Sequence, residues 1–320
     1  MIKKSLAVLV VLTVIFTSQV EAQTNNKFGI HIVSEADLID ASNLVGENGF
    51  VTMVIREDER DHTRWQGVFN EMKRLKLIPI IRIATRTEGD HWIKPNKNEA
   101  ENWAKFLNSL DWPTNDRFVV LFNEPNHAKE WGGEINPQEY AEIARTYWEE
   151  LKKASTDFFV LPAGLDLAAN NSSTTMDAHD FYTLMHQSDE LIFTIFDGLT
   201  SHSYPNPNYS GSQYDTGKMS IAGYKWELEH LKKYDLYPNI PVFITETGWI
   251  NTNSDLSGKY LYAFNNVWSD SRIMAVTPFL LSYQSAPFDV FSWKDKTGNY
   301  LPHFQTIANL AKVDISETSN

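Results

Sequence analysis

The 320-residue sequence contains no cysteine. That excludes a disulfide framework, a thiolate metal site and a cysteine nucleophile. It has no His-Glu-x-x-His motif, and its 9 histidines are scattered, so metal-assisted catalysis finds no ligand spacing here. It has no Gly-x-Ser-x-Gly elbow, the signature expected of an esterase. No glycine-rich turn follows the first apolar strand, which argues against a nucleotide-binding fold. "GSQYDTGKM" at 211–219 fails as a phosphate loop. Its glycines are spaced too widely, and Met219 stands where Ser or Thr is needed. Basic residues are few, with 28 Lys and Arg against 41 Asp and Glu, for a formal net charge of −13. Phosphate binding needs clustered cations, so no nucleic-acid partner is expected, and a polyanionic substrate is disfavoured too.

Long apolar runs are also absent, with one exception at the start. "MIKK" is basic, "SLAVLVVLTVIF" (5–16) is apolar, and "VEA" ends on the small residue Ala22. This pattern predicts a secretory signal peptide over 1–22, cleaved after Ala22, with export to the periplasm or the medium. The alternative is an uncleaved N-terminal anchor, for which the run falls short of the ~20 residues a spanning helix needs. Removing Lys3, Lys4 and Glu21 takes the net charge from −13 to −14.

Beyond that segment, apolar strand-like runs alternate with amphipathic stretches. The runs cover 27–33, 50–56, 77–85, 117–124, 157–164, 196–204, 240–248 and 275–283. Several are continuously apolar, as parallel strands buried on both faces are. Helical periodicity lies between them at 64–76, 98–110, 137–154, 221–234 and 258–268. "NPQE" at 136–139 is a helix start, with a capping Asn and a proline at the first helical position. The prediction is α/β: a (β/α)8 TIM barrel filling the mature chain, 23–320, as a single domain. The alternative is a doubly wound open sheet.

Active sites of such barrels sit at the C-terminal ends of the strands. Successive strands deliver His31 (first), Arg56, Glu57 and Asp58 (second), Arg82 (third), Asn123 and Glu124 (fourth), His202 and Tyr204 (sixth), and Glu246 (seventh). Glu124 and Glu246 each end a buried apolar run, where a lone charge is costly unless it has a purpose or a partner. Two carboxyl groups at one barrel mouth can divide the labour of glycoside hydrolysis, one protonated and one ionised.

The motifs themselves, "LFNEPN", "SHSYP", "FITETGW" and "FSWKDKTGNYLPHF", resemble in order the fourth-, sixth-, seventh- and eighth-strand motifs of the clan A retaining glycoside hydrolases, a cellulase-like superfamily with families 5 and 39 among its members. The resemblance spans 28–310. It implies Glu124 as general acid/base and Glu246 as nucleophile. It further implies Asn123 on the sugar 2-hydroxyl, Tyr204 holding Glu246, His202 lining the site and Trp293 as the floor beneath the sugar. Clan members carry an arginine that supports the nucleophile; Arg82 is the choice here, with Arg56 the rival. The sequence departs from family 5 at Leu121 and Phe122, where polar residues are usual.

Four tryptophans, Trp92, Trp131, Trp249 and Trp293, fall in loops after strands three, four, seven and eight. Trp293 and then Trp249 are the expected sugar platforms. Trp65, Trp103, Trp148, Trp226 and Trp268 lie in helical patterns and are expected to pack helices on the barrel. His31 reads as structural more than substrate-binding, and Asp166 as a turn cap. The expected activity is retaining hydrolysis of a β-linked oligo- or polysaccharide without cofactor or metal. The competing readings are a catalytically silent carbohydrate-binding barrel and a transglycosylase using the same residues.

Overall fold

The computed structural model describes residues 25–252 and 255–312. The signal peptide expected over 1–22 lies outside them. Eight parallel strands form the centre: β1 Gly29–His31, β2 Phe50–Arg56, β3 Ile78–Ala84, β4 Arg117–Leu121, β5 Phe158–Leu161, β6 Leu199–His202, β7 Val242–Glu246 and β8 Ile273–Val276. Strands β1 to β5 pair in sequence order, as do β6 to β8.

Backbone and side-chain bonds close both seams between these two arcs. At one, the Val276 N–H donates to Lys27 O (2.9 Å) and the His31 N–H to Pro278 O (3.0 Å). Gly29 permits this approach, since a Cβ there would lie 2.5 Å from the Thr277 methyl. At the other seam, the Asp197 N–H donates to Val160 O, the Thr200 hydroxyl to Pro162 O, and Asp166 bridges to His202. The molecule is a (β/α)8 barrel, and the open doubly wound sheet is ruled out.

The helices after the strands are α1 Leu38–Val45, α2 His62–Arg74, α3 Ala100–Ser109, α4 Pro137–Ala154, α5 Ala178–Ser188, α6 Gly223–Leu231, α7 Leu256–Tyr262 and α8 Pro302–Ala308. Helix α4 starts as expected: the Asn136 side chain accepts from the Glu139 N–H, and Pro137 follows. The pattern at 258–268 splits, because a π-turn over Ala263–Val267 follows α7. None of the described helices is long and apolar enough to cross a membrane.

Two layers of packing hold the barrel. Phe50, Phe118 and Phe243 fill the interior with mutual edge and tilted contacts. Trp65, Trp103 and Trp268, at most 1 % exposed, sit in the larger core between barrel and helices, with Trp148 and Trp226 at its margin. Burying a large apolar side chain contributes about 1.5–3 kcal/mol, so these layers fix the strand ends that carry the polar groups.

The eighth strand differs from its predicted 275–283 span. It begins at Ile273 and ends at Val276, because Pro278 has no N–H to continue the ladder. Of the remainder, Phe279 and Tyr283 line the barrel mouth, while Leu280 and Leu281 are buried.

Candidate active site

Strand β4 delivers its tip through an unusual backbone. Strict alternation from Phe118 and Val120 would turn Phe122 into the barrel. Instead Phe122 is left-handed (φ 72°), and its ring meets Trp131 and Tyr147. Asn123 is thereby released toward Arg82. Glu124 also has positive φ (30°), and its N–H donates to Gly164 O (3.1 Å). Non-glycine residues in this region store strain, which concentrates at functional sites. Strand β7 uses a different device. Its pairing with β6 skips Thr245, matching Ser201 with Ile244 and His202 with Glu246. This irregularity brings Glu246 level with His202 at the mouth.

The two glutamates meet there. A carboxylate oxygen of each, together with a ring nitrogen of His202, forms a group whose atoms all lie within 4.8 Å of one another. His202 Nδ1 lies 2.8 Å from Glu124 Oε1 and 3.9 Å from Glu246 Oε2. Arg82 Nη1 donates to Glu246 Oε1 (2.5 Å) and to Asn123 Oδ1 (2.6 Å). The Tyr204 hydroxyl donates to Glu246 Oε2 (3.1 Å). Arg82 is thus the arginine on Glu246. Its rival Arg56 pairs with Asp58 and Glu59 instead.

These neighbours set the charges. Burial would raise the Glu246 pKa, but the positive charges of His202 and Arg82, the nearby His31 and the Arg82 hydrogen bond outweigh it and hold the carboxyl well below its ordinary range. Burial would lower the His202 pKa, yet Glu246 and the Glu124 hydrogen bond raise it. His31 is pushed down to about 3 by burial and then by Arg82, and stays neutral beside Glu246, with Nδ1 4.0 Å from Oε1. The Tyr204 hydroxyl is raised far above its usual range, first by burial and then by Glu246, so it remains a donor. Glu124, His202 and Glu246 could in principle offer ligands to a metal. A cation there would face Arg82 directly, so the charge pattern fits poorly.

The pair opens into a cleft of about 520 Å³. Its lining includes the aromatic residues Phe279, Tyr283, Phe288, Phe291 and Tyr209, and also Arg56, Arg64, Trp92, Lys129 and Glu130. Neither expected platform faces this space. Trp293 is 1 % exposed and packs against Tyr260 and His303. Trp249 is also 1 % exposed, and its Nε1 donates to Gly211 O. Both assignments are corrected: each indole serves the core under the loops. His202 likewise stands behind Glu124 rather than in the cleft wall, at 2 % exposure. Of the four loop tryptophans, Trp92 lines the cleft and Trp131 is fully buried. Asp166 accepts from the Ala168 N–H, as a turn cap does, and also pairs with His127 (2.8 Å).

Phe279 is one residue that sequence reasoning misses. The apolar run 275–283 predicts a strand through it, yet it lies at the cleft beside His31, whose ring it meets edge-on at 5.2 Å. The signal available was Pro278, which ends the strand one residue earlier. Glu130 was missed too: its carboxylate Oε2 accepts from Asn123 Nδ2 at 3.2 Å.

Neither a protein-family model nor a curated protein matches the sequence. Solved structures do match. An endo-β-1,4-glucanase from Xanthomonas axonopodis pv. citri is 14% identical, with a TM-score of 0.57 over 88% of this chain and 98% of that one. A family 128 (subgroup II) endo-β-1,3-glucanase from Sorangium cellulosum is 16% identical, with a TM-score of 0.56 over 89% and 99%. A family 5 xyloglucan-specific endo-β-1,4-glucanase from a metagenomic library, in complex with cellotriose, is 14% identical, with a TM-score of 0.51 over 92% and 90%. The chain has the barrel fold of these glucanases. At such identities the likeness concerns the fold, and the chemistry must be argued from the site.

Proposed function

We propose that this chain is a secreted retaining glycoside hydrolase acting on a β-linked glycan. The observation that carries the reading is the placement of two carboxylates within 4.8 Å at one barrel mouth, in unlike surroundings. Retaining catalysis calls for carboxyl groups roughly 5–5.5 Å apart, close enough to share one anomeric carbon. Glu246 is kept ionised by Arg82, His202 and Tyr204, as a nucleophile must be. Glu124 has no arginine or lysine ion partner among the described residues and only His202 at its carboxylate.

In the first step Glu246 attacks the anomeric carbon, the glycosidic C–O bond breaks, and Glu124 gives its proton to the departing oxygen. In the second, water attacks the same carbon, its proton passes to Glu124, and the Glu246 ester bond breaks. Two inversions leave the anomeric configuration unchanged. Asn123, which accepts from Arg82, donates to the 2-hydroxyl in this reading. Phe279, rather than Trp293, offers the apolar face for the sugar ring. The glucanases that share the barrel act on β-1,4- and β-1,3-linked glucans by their names, which favours that substrate class. The basic–apolar N-terminal segment favours export.

A panel of aryl β-glycosides and β-glucans, with product analysis, tests the reading. Glu246→Ala should lose turnover and regain it with azide, giving the inverted glycosyl azide. Sugar binding with no turnover of any activated glycoside would favour the silent barrel. Products longer than the substrate would favour transglycosylation.

A further inference from the structure

Glu130 has no role in the mechanism above, yet it is built into the site. It ends the short 3-10 turn Ala128–Glu130 after β4 and lies half-buried in the cleft wall. Among the described residues its carboxylate makes one hydrogen bond, the 3.2 Å contact from Asn123 Nδ2, and no ion pair. Burial and then the charge of Glu124 raise its pKa. A half-buried carboxylate with a single weak donor is poorly satisfied, because its oxygens can accept several hydrogen bonds. It faces the cleft, so a ligand hydroxyl can supply the missing donor.

The order of contacts says which one. From the nucleophile outward they run Glu246–Arg82–Asn123–Glu130, each link a hydrogen bond. A sugar ring over Glu246 presents C1, then the 2-hydroxyl, then the 3-hydroxyl along the same direction. If Asn123 takes the 2-hydroxyl, the next acceptor outward meets the 3-hydroxyl. We propose that Glu130 is a specificity residue that accepts a hydrogen bond from the 3-hydroxyl of the sugar seated on Glu246. This rests on the glycosidase reading. It implies a preference for sugars bearing a free hydroxyl at that carbon over those substituted or linked there.

The test compares wild type with Glu130→Gln on 4-nitrophenyl β-cellobioside and β-mannobioside, whose reacting sugar keeps its 3-hydroxyl, and on β-laminaribioside, whose reacting sugar is linked there; a wild-type preference for the laminaribioside would overturn the assignment. The better of the first two is then used with 2-deoxy and 3-deoxy versions of its reacting sugar. A charge-assisted bond to a hydroxyl predicts that Glu130→Gln lowers kcat/KM roughly 10- to 100-fold on the complete sugar. The 3-deoxy sugar should cost the wild type a similar factor and Glu130→Gln little more. Glu130→Asp, with the charge retained, should lose less, and it carries the comparison should the glutamine variant melt early. Equal losses on complete and 3-deoxy sugars, coupling confined to the 2-deoxy sugar, or an unchanged rate would overturn the assignment. Wild-type protein that melts cooperatively but turns over none of the glycosides would instead remove the glycosidase reading, and this inference with it.

Discussion

Arg82 and Glu246, from strands on opposite sides of the barrel, are joined by a 2.5 Å hydrogen bond that also ties Asn123 into place. Both side chains are largely shielded, at 14% and 10% exposure. Removing one partner leaves the other charge buried and uncompensated, which typically costs about 3–5 kcal/mol. Arg82→Met should therefore lower stability by that order, read by denaturant unfolding. It should also move the acidic limb of the pH–activity profile upward, because Glu246, the proposed nucleophile, loses a cation that keeps it ionised. A limb that stays put would separate Arg82 from the chemistry.

The same electrostatics predict acid sensitivity. The folded protein lowers the Glu246 pKa from 4.5 to about 2, so the folded state binds this proton less tightly than the unfolded chain. The resulting stability is present above the ordinary carboxylate range and is lost as pH falls from there toward 2. Unfolding titrations over that window should show a component of the slope that disappears in Glu246→Gln.

Gly164 faces the His202 imidazole so closely that a Cβ would lie 2.3 Å from its Cδ2. Gly164→Ala should displace the ring from Glu124. Overpacking of this kind costs about 1–3 kcal/mol. The activity loss should exceed what the stability change explains, measured as kcat/KM well below the melting transition.

Phe279 and Trp293 should behave oppositely. Trp293→Ala removes a buried indole and should cost about 3–5 kcal/mol of stability. Phe279→Ala removes a cleft face, and should lower kcat/KM about 10-fold or more with a smaller change in stability. Calorimetric melting and steady-state kinetics on both variants check the contrast.

Much of this site was readable because it follows strand periodicity. The apolar runs ending at Glu124 and Glu246 set the barrel and both carboxylates. Arg82, two residues after Ile80 on an inward-facing strand, followed from the same alternation. What escaped was local irregularity. Phe122 leaves the alternation through a left-handed backbone, and Thr245 is skipped in pairing. Neither leaves a pattern in an apolar run. Helices α1, α5 and α8 leave a weak helical pattern in the sequence: α1 and α8 are short, and α5 carries polar residues such as His179, Asp180 and His186 among its core contacts. The tryptophans misled because position after a strand does not say whether an indole points to the cleft or to the core. Trp249 and Trp293 chose the core, and Phe279 took the open position.

The central claim is that Glu246 forms a covalent bond to the sugar. Incubation with a 2,4-dinitrophenyl 2-deoxy-2-fluoro-β-glycoside of the preferred substrate, followed by peptide mass spectrometry, measures it directly. The account predicts one glycosyl adduct per chain, on the peptide carrying Glu246, with Glu124 unmodified. An adduct on another residue, or turnover of the parent glycoside with inversion and no adduct, would contradict it.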